Sequence, residues 1–170
     1  MLSSAKRPRN SGLWLGTVFG LFQIASMDYT VRNSRPSDNG QLGDIYLDER
    51  RRTFTWVDPG NFRHGDFLAH SQGEIVFVAE AGDGDIAGFM TLWAADDFIH
   101  MLYIRKQWQG RGIGTALLKA LPGWPRRQYR LKCLINNTSA KTFYAGRGFV
   151  VTGSGTSAEG DYEELSFIPA

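Results

Sequence analysis

Residues 98–121, FIHMLYIRKQWQGRGIGTALLKAL, constrain the fold more than any other stretch of the chain. Phe98 to Ile104 is apolar on both alternating faces apart from His100, which is how a central strand covered on two sides reads. Arg105, Lys106, Gln107 and Trp108 lead into Gln109-Gly110-Arg111-Gly112-Ile113-Gly114-Thr115, and the chain leaves as a helix on which Ile113, Leu117 and Leu121 recur at i, i+4 and i+8. The order strand, glycine-rich turn, helix makes an anion site. The first helical turn leaves N–H groups without intrahelical partners, and glycines lack the Cβ atoms that would hold a phosphate away from them. A pyrophosphate is the natural tenant.

Two common phosphate motifs fail here. A dinucleotide fingerprint begun at Gly110 requires glycine where Thr115 stands, and a phosphate loop of the G-K-[ST] kind occurs nowhere. What remains, Gln109-x-x-Gly112-x-Gly114 after an apolar strand, resembles the coenzyme A loop of the GNAT-type N-acetyltransferases. Downstream, residues 137–149 (NTSAKTFYAGRGF) match N-x-x-A-x-x-F-Y-x-x-x-G-F, the second signature of that family, at every fixed position. The resemblance covers residues 29–167. It implies an α/β fold with a mixed, mostly antiparallel central sheet and helices on both faces.

It also implies a reaction: direct transfer of an acetyl group from acetyl-CoA, as co-substrate, to a primary amine, with a small molecule as the expected acceptor. The alternatives are a peptide or protein N-terminus as acceptor, or an acyl-CoA-binding regulator without activity. The reaction needs a base for the ammonium, a donor for the oxyanion and an acid for the leaving thiolate. By resemblance the acid is Tyr144. A phenol near pKa ~10 protonates a thiolate whose conjugate acid lies near ~8.5 only as charge develops on sulfur. The competing reading is that Phe143 and Tyr144 are the core face of a helix.

The base is less uniform in the family: a glutamate, a histidine or an ordered-water chain. His100 is the only ionisable residue of the central strand before Tyr103, and an imidazole titrating near ~6.5 suits neutral pH. Its competing reading is a hydrogen-bonded core histidine, and Asp96 and Asp97 are the reserve. The resemblance places a backbone N–H near Leu102 or Tyr103 at the oxyanion. It places the pantetheine arm along Leu102, Tyr103 and Ile104, with Asn137 as a further contact. The phosphates fall on the N–H groups from Gln109 to Thr115, with Arg111 or Lys106 nearby. Phe54 and Trp56, after an arginine triplet, are candidates for the acceptor wall.

Composition adds boundaries. A chain of 170 residues is one domain with room for a core, and a formal net charge of +2 points to no nucleic-acid partner. The single Cys133 excludes an intramolecular disulfide and fits a reducing cytoplasmic setting, no cysteine–histidine cluster has zinc spacing, and a homodimer is common in the family. Lys6-Arg7-Pro8-Arg9 before the apolar stretch 13–25 imitates a secretory signal but is too short to span a membrane. Residues 1–26 are expected to be a dispensable extension, with Met27 opening the domain 27–170; a packed accessory segment and an export signal are the alternatives.

Along the rest of the chain we expect strands at 29–33, 75–81, 86–94, 129–134, 149–152 and 163–168. Helices are expected after Asp38, at 61–71 and at 139–147, with a polar loop at 153–160.

Overall fold

The computed structural model describes residues 29–170. The expected extension 1–26 lies outside the described residues. A seven-stranded sheet in the order β1-β2-β3-β4-β5-β7-β6 carries the molecule. Its strands are β1 (Tyr29–Asn33), β2 (Ile75–Ala81), β3 (Ile86–Trp93), β4 (Phe98–Ile104), β5 (Tyr129–Leu134), β6 (Phe149–Ser157) and β7 (Gly160–Phe167). Every neighbouring pair is antiparallel except β4 and β5, which run parallel.

Alternation along the strands sends side chains to two cores. On one face α3 (Ile113–Lys119) and α4 (Thr138–Ala145) bury Ile113, Leu117, Leu118 and Tyr144 against Ala79, Met90 and Leu131. On the other, α1 (Asn39–Thr53) and α2 (Asp66–His70) bury Leu42, Ile45, Tyr46 and Phe67 against Val78, Phe89 and Met101. Each fully buried aliphatic or aromatic side chain contributes roughly 1.5–3 kcal/mol by leaving water. The α1 entry is fixed by charge. Asp38 occupies the N-cap position of α1, but its side chain makes no capping bond there: it is buried, and its carboxylate accepts from the Arg35 N–H (2.7 Å) and the Arg32 guanidinium (2.7 Å), tying α1 to β1. The Arg32 hydrogen bonds hold that carboxyl below the usual carboxylate range.

Two elements differ from expectation. The helix expected at 61–71 shrinks to α2, because the Asp58 carboxylate accepts the Gly60 N–H (2.8 Å) and stabilises a 3-10 turn at Pro59–Asn61, after which Phe62 is extended. The polar loop expected at 153–160 is mostly strand. β6 runs on to Ser157 against β7, and its outer residues are mostly exposed, so no apolar alternation marks it. At Gly155 a Cβ would lie 2.5 Å from the Tyr162 hydroxyl, so close packing demands the glycine that reads as a loop in sequence.

Candidate active site

Parallel pairing between β4 and β5 involves only Phe98 with Arg130 and Ile99 with Leu131. Beyond that point the strands separate, and a cleft opens at the middle of the sheet. Met101 N–H donates to Thr91 Oγ1 (3.1 Å) and Arg105 N–H to the Ala87 carbonyl (2.9 Å), so the odd-numbered N–H groups of β4 face β3. By alternation those of Leu102 and Ile104 face the cleft. This selects Leu102 over Tyr103 as the residue whose N–H is available there.

A bulge shapes the same strand. Thr91 opposes Met101 but Leu92 opposes Ile99, which leaves His100 as the extra residue. Ile99 consequently packs in the α3/α4 core and Met101 in the α1/α2 core. The bulge leaves His100 half-exposed, with Nδ1 2.7 Å from Glu74 Oε1. The histidine is thus not a core residue.

At the C-terminal end of β4 the glycine loop closes one end of a cavity of about 620 Å³, bounded by Leu102, Tyr103 and Ile104 on one side and by Asn137, Phe143 and Tyr144 on the other. Gly110 (φ 76°) and Gly112 (φ 81°) hold left-handed conformations that favour glycine. The N–H groups of residues 110–115 find no acceptor among the described residues. Gln109 differs. Its N–H donates to the Lys106 carbonyl (3.3 Å), and its side-chain amide donates to the Ile104 carbonyl (2.9 Å) and towards Glu49 Oε2 (3.4 Å). It braces the loop rather than offering its N–H. Glu49 itself is buried and also accepts the Lys106 N–H (3.0 Å).

Gly114 answers to packing: a Cβ there would lie 2.8 Å from the Phe143 ring. Thr115 Oγ1 accepts twice from Arg147 (2.9 and 2.7 Å), whose guanidinium lies 3.7 Å over Phe143. Arg111 stacks on Trp108 (4.7 Å) and lies outside the cavity lining, whereas Lys106, Arg52 and Arg147 belong to it. Around the loop, Glu49 and Arg147 carry no local sequence signal, and Arg52 is marked only as part of the arginine triplet before Phe54. Only their place beside the loop marks the first two.

Across β4 a second cavity, about 360 Å³, is lined by His100, Phe54, Cys133, Glu159 and Tyr162. Leu102, Tyr103, Asn137, Ala140 and Tyr144 line both cavities. Asn137 Oδ1 caps α4 by accepting the Ala140 N–H (3.2 Å). Tyr144 is buried, and its hydroxyl makes no hydrogen bond to another described residue. Burial pushes that phenol well above its ordinary range, the nearby Cys133 adding to the effect. Burial also pushes the Cys133 thiol up to about 11.

The acceptor-wall candidates separate. Phe54 lines the second cavity, but Trp56 lies outside its lining and donates from Nε1 to the Glu159 carbonyl (2.8 Å). Of the arginine triplet, Arg50 is buried between Asp66 (3.0 Å) and Glu159 (2.6 Å), so its charge is already neutralised. Asp96 and Asp97 lie outside the second cavity and face Arg130 (3.6 Å) and Arg127 (2.7 Å). Among the described residues no group of His, Cys, Asp or Glu could hold a metal ion, and no helix is long and apolar enough to cross a membrane.

A sheet parted at its centre, with N–H donors at one end and a phenol between two cavities, all without hydrogen-bond partners among the described residues, is the geometry an acyl-transfer site requires. The comparisons agree on the class. Residues 72–151 match the acetyltransferase (GNAT) domain model. The chain is 36% identical over 110 residues to aminoglycoside N(6')-acetyltransferase type 1 of Stenotrophomonas maltophilia, over 57% of this chain and 67% of that protein. The solution structure of apo YjaB from Escherichia coli aligns with a TM-score of 0.69 at 23% identity, over 84% of this chain and 99% of that one. PaiA N-acetyltransferase from Thermoplasma acidophilum, solved in complex with coenzyme A, aligns at 0.63 and 19%, over 80% and 97%. The protein belongs to the GNAT N-acetyltransferase family and is an N-acetyltransferase.

Proposed function

We propose that the protein moves an acetyl group from acetyl-CoA directly to the primary amine of a small molecule. The observation that carries this reading is the placement of Tyr144 across both cavities, with no hydrogen bond from its hydroxyl to another described residue. The chain's own residues fit the cofactor. N–H groups at 110–115 without acceptors among the described residues, cations at Lys106 and Arg147, and the glycine backbone suit a pyrophosphate, whereas Arg52 is already paired with Glu49. The parted edge of β4 suits a pantetheine arm carrying amides, with Asn137 beside it. When bound, acetyl-CoA supplies an activated acyl group as a thioester.

The residues then divide the work. Leu102 N–H is the donor to the developing oxyanion. Tyr144 holds its proton firmly because burial disfavours the phenolate, and yields it only as charge builds on a leaving thiolate. His100, on the acceptor side, takes the proton of the incoming ammonium. A cavity of about 360 Å³ suits a small amine better than a folded protein surface. The related S. maltophilia enzyme makes aminoglycosides the first class to try. We place the domain at 27–170 and the activity in the cytoplasm, where acetyl-CoA is available.

The test is release of free CoA from acetyl-CoA in the presence of amino acids, polyamines, aminoglycosides and N-terminal peptides in turn. Release with a small amine, matched by N-acetylated product in the mass spectrum, is the expected result. Release only with peptides would move the acceptor class. Binding of acetyl-CoA with no transfer to any amine would overturn the enzymatic reading.

A further inference from the structure

Glu74 stands at the turn before β2 and reaches His100 on β4, with β3 lying between those two strands. Its side chain is 5% exposed. Oε1 meets His100 Nδ1 at 2.7 Å, and Oε2 is buried with no hydrogen-bond partner among the described residues. A buried carboxylate with half its acceptor capacity unused is costly, and an apolar residue would fill the position with less penalty. The cost has one visible return, the contact to His100.

We propose that Glu74 is a positioning residue that fixes the ring orientation and tautomer of His100. The inference rests on the reading of His100 as the acceptor-side base. An ionised carboxylate only accepts, so the Nδ1 facing it carries the hydrogen, and in the neutral ring the lone pair falls on Nε2. That nitrogen takes the proton. The ammonium N–H bond breaks, its electron pair stays on the amine, the hydrogen becomes Nε2–H, and the imidazolium so formed is balanced by the Glu74 charge. His100 is 38% exposed, so the proton then passes to water.

Other charges near His100 are committed elsewhere or lie on different elements. At the outer opening, Arg130 of β5 faces Asp96 of the β3–β4 turn at 3.6 Å. Lys132 of β5 lies 4.5 Å over the Tyr162 ring of β7. Across the acceptor cavity, Glu159 of the β6–β7 turn is paired with Arg50 at 2.6 Å. The remaining titratable groups there are Tyr46 of α1, Tyr103 of β4, Cys133 of β5 and Tyr144 of α4. Glu74 is the carboxylate in hydrogen-bond contact with the imidazole.

The experiment is a pH titration of the three imidazoles in the full-length 15N-labelled protein by long-range 1H–15N spectra, with His100 assigned from the signals lost in His100→Gln. The expected neutral tautomer of His100 is Nδ1–H, and in Glu74→Leu, which removes the acceptor, that tautomer gives way to a mixture of the two. A parent ring that is Nε2–H overturns the proposal without any Glu74 variant, so a poorly folding Glu74→Leu leaves it testable. A ring that stays wholly Nδ1–H in Glu74→Leu overturns it as well. The base assignment fails separately. If His100→Gln keeps the parent's acidic limb in acetyl transfer, His100 leaves the reaction while the imidazole measurements stand as they are.

Discussion

Tyr144 can be tested with little collateral damage, because among the described residues its hydroxyl bonds to nothing that would be orphaned by its loss. Tyr144→Phe keeps the edge contacts to Phe143 and Phe149 and should leave the melting temperature and CoA affinity near those of the parent. On an accepted amine, kcat should drop about 10²-fold, within the span of general acid catalysis. A variant that turns over like the parent removes the acid role. Cys133 gives a second residue-scale expectation. Its folded pKa, about 11, lies above the ordinary thiol value because burial disfavours the thiolate. The linked stability is therefore fully present below the ordinary value and is lost as pH rises through about 11. Absorbance of the single thiolate should rise with a midpoint near there, and iodoacetamide should react slowly at neutral pH despite the adjoining cavity. Fast alkylation at neutral pH would contradict the burial argument. The F-Y pair made Tyr144 legible from sequence, whereas Glu74 left no signal there because its partner is 26 residues away.

At the scale of elements, the glycines of the loop divide into two kinds. Gly114→Ala places a methyl group against the Phe143 ring, wedging α3 from α4, and should cost about 1–3 kcal/mol in denaturant unfolding, as overpacking does. A Cβ at Gly112 would meet only the Tyr29 hydroxyl, at 3.7 Å, but the backbone there is left-handed. Gly112→Asp should therefore lose ~1–2 kcal/mol to backbone strain while abolishing the rise in melting temperature that CoA gives the parent. Equal CoA shifts in parent and Gly112→Asp would remove the loop from phosphate binding. The strands β1, β2, β4 and β5 were legible because each has a buried face or a strong turn at its end. β6 was not, since its outer residues meet water and its glycines make room for Tyr162 and Glu164. The α2 region misled for a different reason: an Asp58 turn and an extended Phe62 interrupt an otherwise helical spacing of aromatics.

For the molecule as a whole, a chain begun at Met27 should melt with the parent and bind CoA equally well, as judged by thermal shifts at matched ligand excess; about 2.7 kcal/mol of stabilisation is expected at a hundredfold excess over Kd. Aggregation or a markedly lower melting point would make residues 1–26 part of the domain. The parted sheet has a consequence for deuterium uptake. β4 lies at the centre of the molecule, yet on one side it is bridged to the next strand only as far as Ile99 and Leu131, so the amides of Leu102 and Ile104 are mid-sheet positions with loop-like access to solvent. In the free protein they should incorporate deuterium far faster than Tyr103 between them, and acetyl-CoA should slow both while barely touching Tyr103. An alternating trace of this kind, fast, slow, fast, would show a sheet that completes its own ladder only when a cofactor lies along it.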